Sequence, residues 1–568
     1  MNVRAALTNG LWLLSCLPEA YALRRSRSRV RETQLGVLHR VLRRNRGSAF
    51  GRAHGFADIR DLRGFRAAVP VRGWEAFSEQ VQFVMSGERA VLTEEPVLLF
   101  EPTGGSAGAA KLVPYTRALK REFGRGIDAW VFNLFTWKPL CLFGSLYFSI
   151  TPFGAARGRS PGGIPIGFQD DRDYLGGLMR RVSDIVMAAP REIASIRDPD
   201  AFRRVTLLFL LKRADLSVVS IWNPTFFTLL LEPLPRHGPE LLRDLAAGRI
   251  DGAVGMEPRL RRTLERKLGR NPRRASELSR ILDRNLPPGA MHSAIWPRLR
   301  VISCWADGNA AAPAAELSRL FPRAAVQPKG LLSTEGFVSL PLGGRAGAAL
   351  SIRSHFFEFL EAAESGERAL AAHELVPGRR YEVVLTTGGG LYRYRTRDEV
   401  EVTGAWGGIP LLRFLGRNDA VSDMFGEKLS EEHVRSAVEE GLSRFGIRPA
   451  FWIVAPERSG TASGFYTLFV EPPPARPGTP AAVSLLRAAR VIEERLRENP
   501  QYSYGIRLGQ LKPLRVFLIE EAAAEAFLRF CVKKGQRLGD VKPAALHMKA
   551  AEEKAFQGRY LDEVEAVP

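Results

Sequence analysis

F-E-P-T-G-G-S-A-G-A-A-K-L-V-P-Y-T, residues 100–116, follows the short apolar run P-V-L-L-F at 96–100. An apolar run of this length, punctuated by prolines, predicts a buried strand. The glycines after it permit a sharp turn or a close approach of the backbone to a ligand. Backbone N–H groups, hydroxyls and a lysine together suit the oxygens of a polyphosphate. The residues that form this candidate phosphate loop are Thr103, Gly104, Gly105, Ser106, Gly108 and Lys111.

The loop is not a Walker A motif, because no Gly-Lys-Ser/Thr follows four residues after a glycine. A helix N-terminus directly after it is not assured either, since Pro114 lies just beyond Lys111. Taken alone, the stretch favours a flexible Gly/Ser turn between two elements over a phosphate site. The rest of the chain has to decide between these interpretations.

Composition limits the classes of protein to consider. The chain has 568 residues, of which 45% are hydrophobic, so two or more domains with large cores are expected. Its formal charge is +21, but only 13 of the 82 basic residues are lysines, and they are spread along the chain. No zinc-finger spacing or RNA-binding aromatic motif accompanies them. We therefore expect anionic small molecules as partners and no nucleic acid.

Neither the cysteines nor the apolar segments predict secretion or a membrane span. The four cysteines lie far apart and are expected to be reduced, buried thiols of a cytoplasmic protein. These are Cys16, Cys141, Cys304 and Cys531. Residues 11–17 weakly resemble a signal peptide, but we predict a packed N-terminal helix there. The apolar stretch 127–150 is interrupted by Lys138-Pro139, so we expect no membrane partner.

Strand and helix patterns alternate through most of the chain. Helices are predicted over 23–46, 117–130 and 314–320, and strands over 216–222 and 299–305. Strands separated by helical segments favour an α/β fold. A boundary near 416–428 leaves a large α/β N-terminal domain, 1–424, and a smaller α+β C-terminal domain, 425–568, which we expect to act as a mobile lid.

Three later stretches carry residues suited to nucleotide chemistry. In G-L-L-S-T-E-G at 330–336, a strand end is expected to present Thr334 and Glu335, and the carboxylate suits Mg²⁺ beside a phosphate. In T-T-G-G-G-L-Y-R-Y-R-T-R-D at 386–398, alternation predicts a strand ending at Asp398, which can accept two hydrogen bonds from ribose hydroxyls. F-L-G-R-N-D at 414–419 places Arg417 at the candidate domain hinge.

Ordinary structural roles remain open for several of these residues. Glu335 alone is compatible with a solvated carboxylate in a loop. Arg393 and Arg395 could form structural ion pairs with Glu382, Asp398 or Glu399. His355 has no metal-spaced partner and is interpreted as a packing or surface residue. Phe123 and Trp130 are available to line a pocket, although core packing is the default.

The ordered set of motifs resembles the adenylate-forming superfamily: a glycine/hydroxyl/lysine loop, T-E, Y-R-T-x-D and G-R-x-D. Finer features are similar to the plant auxin-responsive acyl acid amido synthetases, the Gretchen Hagen family, and to their bacterial-type relatives. These features are E-G at 335–336, F-F-E-F at 356–359 and G-E-K-L-S-E at 426–431. The resemblance covers roughly residues 40 to 550.

The resemblance implies roles residue by residue. Thr103 and Ser106 would bind the β- and γ-phosphates of ATP, and Thr334 with Glu335 would bind the α-phosphate and Mg²⁺. Asp398 would hold the ribose. Arg417 and Lys428 would contact the nucleotide from the domain boundary and the start of the small domain. Lys111 and Lys542 would be the catalytic lysines, with Lys542 swinging into the site from the small domain.

The chain also departs from the family pattern. Pro102 and Gly105 stand where the family has hydroxyls, Arg397 replaces a glycine, and Asp540 replaces a glutamine two residues before Lys542. The resemblance implies a monomeric, cytoplasmic ligase that uses ATP and Mg²⁺ to join a small carboxylic acid to an amino acid. The alternatives are an acyl-CoA ligase and a nucleotide-binding scaffold with weakened catalysis.

Overall fold

The computed structural model describes most of the chain. Described are residues 2–102, 111–149, 158–167, 184–251, 253, 255–307, 310–363, 366–417, 421–422, 424, 427, 429–458, 464–471, 481–507, 511–533, 541, 544–547 and 555–561. The chain divides into a large unit, containing Met1–Thr103 and Ala110–Leu415, and a small unit containing Gly416–Pro568.

Helices dominate the large unit. They are α1 (Val3–Ser26), α2 (Val30–Asn45), α3 (Ala49–Ala53), α4 (Leu62–Ala68), α5 (Glu75–Met85), α6 (Arg117–Trp137), α7 (Pro199–Lys212), α8 (Pro224–Leu231), α9 (Pro233–Ala247), α10 (Pro258–Leu268), α11 (Pro272–Leu282), α12 (Pro288–Ile295) and α13 (Ala311–Leu320). Short 3₁₀ turns cover Pro139–Phe143, Arg191–Ser195 and Ala372–Glu374.

The strands of the large unit form a hairpin and two larger sheets. They are β1 (Leu99–Pro102), β2 (Leu112–Tyr115), β3 (Ser145–Phe148), β4 (Leu216–Ser220), β5 (Val301–Cys304), β6 (Ala325–Pro328), β7 (Ser339–Pro341), β8 (Ala348–Leu350), β9 (Phe356–Ala363), β10 (Gly366–Ala371), β11 (Arg380–Thr386), β12 (Tyr394–Trp406) and β13 (Ile409–Arg417).

A parallel sheet with the order β3-β4-β5-β6 confirms the predicted α/β fold. The predicted strands at 216–222 and 299–305 are β4 and β5, and every residue of these two strands is buried. Helices fill the crossovers, as parallel strands require. All four strands end at the same edge, so the residues that follow them are gathered there.

The second sheet of the large unit has seven strands in the order β10-β9-β11-β12-β13-β8-β7. Here one sequence expectation is wrong, because 386–398 is not a single strand. The strand β11 ends at Thr386, a turn follows, and β12 begins at Tyr394 and pairs antiparallel with β11. Three consecutive glycines and a positive φ of 48° at Arg393 are what let the chain reverse.

The small unit has a mixed sheet with helices. After the two-stranded pair β14 (Val421–Ser422) and β15 (Leu429–Ser430), its sheet has the order β16-β17-β18-β19. The remaining elements are α14 (Glu431–Arg444), β16 (Phe451–Arg458), β17 (Gly464–Glu471), α15 (Ala481–Leu496), α16 (Pro500–Arg507), β18 (Arg515–Ile519), α17 (Ala523–Lys533) and β19 (Gly558–Tyr560). A separate hydrophobic core includes Val438, Leu468 and Ile492.

The N-terminal region is helical, as predicted, but it is divided differently. A single helix was expected over 23–46, whereas α1 ends at Ser26 and α2 begins at Val30. No helix in the described part of the chain is long and apolar enough to cross a membrane. All four cysteines are free and buried, as expected, and burial raises the pKa of the Cys304 thiol to about 12.

Candidate active site

The predicted phosphate loop connects two paired strands. In the antiparallel hairpin β1–β2, Pro102 lies opposite Leu112, so the chain leaves and re-enters the loop at adjacent positions. Residues 103–110 lie outside the described part of the chain. Lys111 directly precedes β2, and α6 begins at Arg117, where the Thr116 hydroxyl accepts the N–H of Leu119 as an N-cap. The predicted helix at 117–130 is confirmed and extends to Trp137.

Thr334 and Glu335 occupy the tip of a tight turn, not the strand end that the sequence predicted. The backbones of Ser333 and Gly336 exchange N–H···O bonds of 3.1 and 3.3 Å, and Leu332 and Phe337 form an antiparallel bridge. The strand β6 ends at Pro328, six residues before Thr334. We call residues 333–336 the T-E turn.

Two tyrosines hold the T-E turn from other elements. The Tyr115 hydroxyl, on β2, donates to the Thr334 carbonyl at 2.6 Å. The Tyr394 hydroxyl, at the start of β12, donates to Glu335 Oε1 at 3.4 Å. The Glu335 residue is only 7% exposed. A buried carboxylate with one long hydrogen bond retains lone pairs for a cation or another donor.

Asp398 is presented by an irregularity in the β11–β12 ladder. The register shifts between Glu382 and Val384, where β12 carries more residues than β11. Within this bulge Arg397 has φ of 63°, the left-handed conformation that glycine adopts most easily. The Thr396 hydroxyl donates to the Val383 carbonyl at 2.9 Å and accepts the Asp398 N–H at 3.0 Å. A bulge of this kind re-aims a side chain, and here it fixes a buried carboxylate.

A buried network that the sequence did not reveal links the T-E turn to the glycine turn after β11. His355 Nε2 accepts the Phe337 N–H at 2.9 Å, so its ring proton is on Nδ1, which donates to Glu122 Oε2 at 2.9 Å. The same Glu122 carboxylate accepts the Gly388 N–H at 2.9 Å. His355 is fully buried, so the packing interpretation was right and the surface interpretation wrong.

The approach of α6 to the glycine turn depends on glycine at 388. A Cβ there would lie 2.5 Å from Glu122 Oε1 and 2.7 Å from the Ala118 Cβ. The Thr116 hydroxyl also donates to the Gly388 carbonyl at 2.8 Å. The helix that follows the phosphate loop is therefore bound directly to the turn that precedes β12. Spacing along the sequence gives no signal for this contact, because Glu122 and Gly388 are 266 residues apart.

The arginines of the Y-R-Y-R segment form structural ion pairs. Arg395 pairs with Glu382 at 2.7 Å, one of the partners expected from the sequence. Arg393 pairs instead with buried Glu358 through two bonds of 2.7 and 3.1 Å, and also donates to the Val69 carbonyl. A paired, buried arginine of this kind fixes the start of β12 and is not available as a phosphate ligand.

Aromatic rings and one cation gather at the carboxyl edge of the parallel sheet. Lys329, after β6, donates to the Ser220 hydroxyl at 2.6 Å, and its ammonium lies 4.8 Å from the Trp222 ring centroid and 5.2 Å from that of Trp130. Trp222 also contacts Trp305, with ring centroids 5.7 Å apart. We call these four side chains, Lys329 and the three tryptophans, the tryptophan–lysine cluster.

The two aromatics singled out from α6 have different surroundings. Phe123 packs in the core against Tyr115, Phe337 and His355, so the default of core packing is confirmed. Trp130 is buried, and its indole N–H donates to Gln327 Oε1 at 3.0 Å.

A separate cavity of about 290 Å³ lies between β6 and residues 341–348. Asp307 and Arg413 contribute to its wall. Burial raises the pKa of Asp307, against the lowering effects of the Phe414 backbone and of Arg413. The cavity thus lies beside the F-L-G-R stretch near the end of the large unit.

Several predicted site residues cannot be placed. Thr103, Gly104, Gly105, Ser106, Gly108, Lys428 and Lys542 lie outside the described residues. Arg417 is the last residue of β13. Within the described ranges, no group of three His, Cys, Asp or Glu side chains is arranged to hold a metal ion. A cation bound through Glu335 would therefore draw further oxygens from substrate phosphates and water, which is the usual coordination of Mg²⁺.

Models of known protein families match almost the whole chain. Sequence models match at residues 20–326 (GH3 family N-terminal domain), 348–417 (GH3 family central domain) and 432–550 (GH3 family C-terminal domain). The central-domain match ends at the last residue of β13.

Relatives and a solved structure agree with these matches over more than nine-tenths of each chain. A probable indole-3-acetic acid-amido synthetase, GH3.7 of Oryza sativa subsp. japonica, is 26% identical over 91% of this chain and 91% of its own. The probable indole-3-acetic acid-amido synthetase GH3.1 of Arabidopsis thaliana is 25% identical over 95% and 94%. The solved GH3.15 acyl acid amido synthetase superposes with a TM-score of 0.80, at 20% identity, over 96% of each chain.

Proposed function

The chain belongs to the GH3 family, and we propose that it is an ATP-dependent acyl acid amido synthetase. A carboxylate oxygen of the acid attacks the α-phosphorus of ATP and the α–β phosphoanhydride bond breaks, which gives an acyl adenylate and pyrophosphate. The amine nitrogen of an amino acid then attacks the acyl carbon. The acyl–phosphate bond breaks, a proton leaves the nitrogen, and AMP and an amide are released.

One observation supports this proposal most strongly, namely the convergence of three motifs that are distant in sequence. The hairpin that carries the phosphate loop, the T-E turn and the bulged start of β12 are tied together by Tyr115, Tyr394 and the Glu122–His355 network. The Tyr394 and His355 links are buried hydrogen bonds, and the Tyr115 link is partly buried, so the parts are held in a fixed relation before substrate arrives. Pre-organised groups around a reacting phosphate provide positioning and charge stabilisation, and no covalent nucleophile is needed.

Glu335 is the residue we assign to Mg²⁺. It is buried, carries a carboxylate at the tip of the T-E turn, and accepts one long hydrogen bond from Tyr394. When bound, the ion would supply Lewis-acid stabilisation of charge on the phosphate oxygens. The role of the chain is to hold the carboxylate there, which it does through the Ser333–Gly336 turn and the Tyr115 bond to Thr334.

Asp398 is assigned to the ribose. Two hydroxyls of a ribose can each donate to one carboxylate, and the bulge fixes where that carboxylate points. The family glycine is absent at 397, but the backbone of Arg397 keeps the left-handed conformation. The replacement therefore costs strain of about 1–2 kcal/mol without removing the bulge. This favours an active ligase over a scaffold with weakened catalysis.

The remaining nucleotide contacts are assigned from the sequence motifs alone. Thr103, Ser106 and Lys111 are proposed for the β- and γ-phosphates, Arg417 and Lys428 for the nucleotide, and Lys542 for charge that develops during adenylation. We further propose that residues 425–568 act as a lid, since Lys542 belongs to the small unit while Glu335 and Asp398 belong to the large one.

We place the acyl group of the acid at the tryptophan–lysine cluster. Ligands of open α/β sheets bind at the carboxyl ends of the parallel strands, where the cluster lies. The flat faces of Trp222 and Trp305 suit an aromatic or conjugated acyl group, and the Lys329 ammonium suits an acceptor or anionic substituent on it. The indole acids named for the plant relatives are one class of flat acid.

The experiment is a matrix of carboxylic acids against amino acids, incubated with ATP and Mg²⁺ and analysed by mass spectrometry. We expect an amide and AMP for at least one pair, with flat aromatic acids preferred over linear aliphatic ones. Coenzyme A is included as an acceptor, since a thioester in place of the amide would identify an acyl-CoA ligase. Binding of ATP without any AMP, amide or thioester would identify a nucleotide-binding scaffold.

A further inference from the structure

The helix α1 exposes a continuous apolar stripe. Its opposite face is buried, with Trp12 and Cys16 in the core and Trp12 in edge contact with Phe135 of α6. The outer face carries six large apolar side chains: Val3 (65% exposed), Leu7 (66%), Leu11 (56%), Leu14 (59%), Leu17 (43%) and Tyr21 (67%). Their spacing of three or four residues aligns them along about 27 Å of one helix face.

Nothing comparable occurs elsewhere in the described part of the chain. Only eleven large apolar side chains are markedly exposed there, and six of them belong to this single helix. The other five, Phe83, Leu140, Ile185, Val376 and Phe445, are scattered along the chain. Scattered apolar residues need no explanation, whereas a contiguous stripe marks a surface that is covered in use.

The charges around the stripe are mostly positive, and the exposed acidic residue nearest to its end is Glu32 of α2. Arg4 is exposed near its start, and Arg24, Arg25, Arg29 and Arg31 are exposed just beyond its end. The only acidic residue of α1, Glu19, has a largely buried side chain that pairs with Arg353 at 2.6 Å. The apolar face is therefore framed by arginines, with no acidic side chain of the same helix available to balance them.

This charge pattern distinguishes between two possible binding partners of the stripe, a second copy of the chain and an anionic membrane. A second copy in an antiparallel pair would bring Arg4 against Arg24 and Arg25, and a parallel pair would bring Arg24 and Arg25 against themselves. Both arrangements place like charges together in a symmetric contact. The surface of an anionic bilayer instead offers apolar chains to the leucines and negative headgroups to the arginines.

We propose that α1 lies in the headgroup region of an anionic phospholipid membrane, with the leucine stripe inserted and the arginines on lipid phosphates. Tyr21 lies between the leucines and the arginine cluster, the position that amphipathic aromatic rings favour at a membrane surface. The formal charge of +21 adds attraction at longer range. This is peripheral binding, and it replaces the expectation from sequence alone that the chain meets no membrane.

The test is flotation of the full chain with two kinds of vesicle, phosphatidylcholine alone and phosphatidylcholine mixed with phosphatidylglycerol. We expect binding to the mixed vesicles that weakens as salt is raised, and little binding to phosphatidylcholine. The triple variant Leu7→Gln, Leu11→Gln, Leu14→Gln should lower the partition coefficient at least tenfold, since three inserted side chains become polar. Arg24→Gln with Arg25→Gln should lower it by about ten- to a hundredfold on the mixed vesicles.

A matched control removes three exposed apolar side chains elsewhere, by Phe83→Gln, Val376→Gln and Phe445→Gln, and should float like the parent. Circular dichroism checks that every variant is folded, and all of the changed side chains are exposed. Failure of the parent to float with the mixed vesicles would overturn the proposal. Equal losses of vesicle binding in the control and the leucine variant would also overturn it. A third contradicting result is a parent that binds no vesicles and is a dimer by ultracentrifugation, with the leucine variant a monomer.

Discussion

Replacing Glu122 by glutamine should destabilise the large unit and disturb the T-E turn together. The carboxylate accepts the Gly388 N–H and the His355 Nδ1–H, both buried. Both bonds converge on Oε2, and the Gly388 N–H also lies 3.1 Å from Oε1. A glutamine of the same shape loses the charge and, in either orientation of its amide, turns an N–H donor toward the Gly388 N–H; in one orientation that donor faces the His355 Nδ1–H as well. Because His355 Nε2 is occupied by the Phe337 N–H, the ring cannot change tautomer to compensate.

The magnitude follows from the bonds that are lost. One charge-assisted hydrogen bond is worth about 1.5–3 kcal/mol, and one buried donor left without a partner costs about 1–3 kcal/mol. These overlap, so we expect Glu122→Gln to lower the free energy of unfolding by about 2–4 kcal/mol. Urea unfolding followed by tryptophan fluorescence reports mainly on the large unit, since eight of the nine tryptophans precede Gly416.

Glu95→Gln is the matched control. Glu95 also accepts bonds from α6, namely the Ala118 N–H and the Arg121 guanidinium, both at 2.8 Å, but it is partly exposed. Its loss should cost no more than about 1 kcal/mol. His355→Ala combined with Glu122→Gln should cost less than the sum of the two single changes, because the residues are in contact. Equal unfolding midpoints for the two glutamine variants would refute the assigned network.

Three further changes test separate parts of the site and its support. Arg397→Gly should unfold at or slightly above the midpoint of the parent, since glycine relieves the strain at positive φ but loses more conformational freedom on folding, while Arg397→Val loses about 1–2 kcal/mol because a β-branched residue is strained there; equal midpoints for the glycine and valine variants would show that the bulge does not need that conformation. Asp398→Ala should weaken ATP binding by about 2–4 kcal/mol in calorimetry, the value of charge-assisted bonds to two hydroxyls, and unchanged affinity would remove the ribose assignment. Burial raises the pKa of Asp128 from 3.8 to about 6, so the folded state holds that proton more tightly and the parent loses stability as pH rises from about 4 to 6. Asp128→Asn should therefore be more stable than the parent by about 1–2 kcal/mol at pH 8, with the difference vanishing near pH 4; a pH-independent difference would contradict this.

The fold could be read from the sequence because its strongest signals are local. The short apolar runs at 216–222 and 299–305 are buried on both faces, and such runs predict parallel strands. The start of α6 is marked by Thr116, whose hydroxyl caps the helix. Where tertiary contacts determine the secondary structure, the prediction from sequence was wrong. Residues 386–398 alternate like one strand, yet the glycine turn closes on Glu122 and splits the segment into two.

The candidate site was only partly predictable for the same reason. Glu335 and Asp398 could be selected by their motifs, but the T-E turn was expected to be a strand end. The Glu122–His355 network and the tryptophan–lysine cluster each join residues from elements far apart in the chain. No periodicity or spacing encodes such contacts. The exposed stripe of α1 was hidden as well, because that helix is apolar on both faces and the sequence alone does not say which face is buried.

The central claim is that the site adenylates a carboxylic acid, and carboxylate-dependent exchange of labelled pyrophosphate into ATP tests it most directly. With a flat aromatic acid and Mg²⁺, the parent should exchange label without any amino acid present, because adenylation is the first, reversible step. Glu335→Gln should slow the exchange by about 10²–10³ while it unfolds at the same urea concentration as the parent. No carboxylate-dependent exchange in the folded parent across the acid panel, or full exchange in Glu335→Gln, would contradict the account.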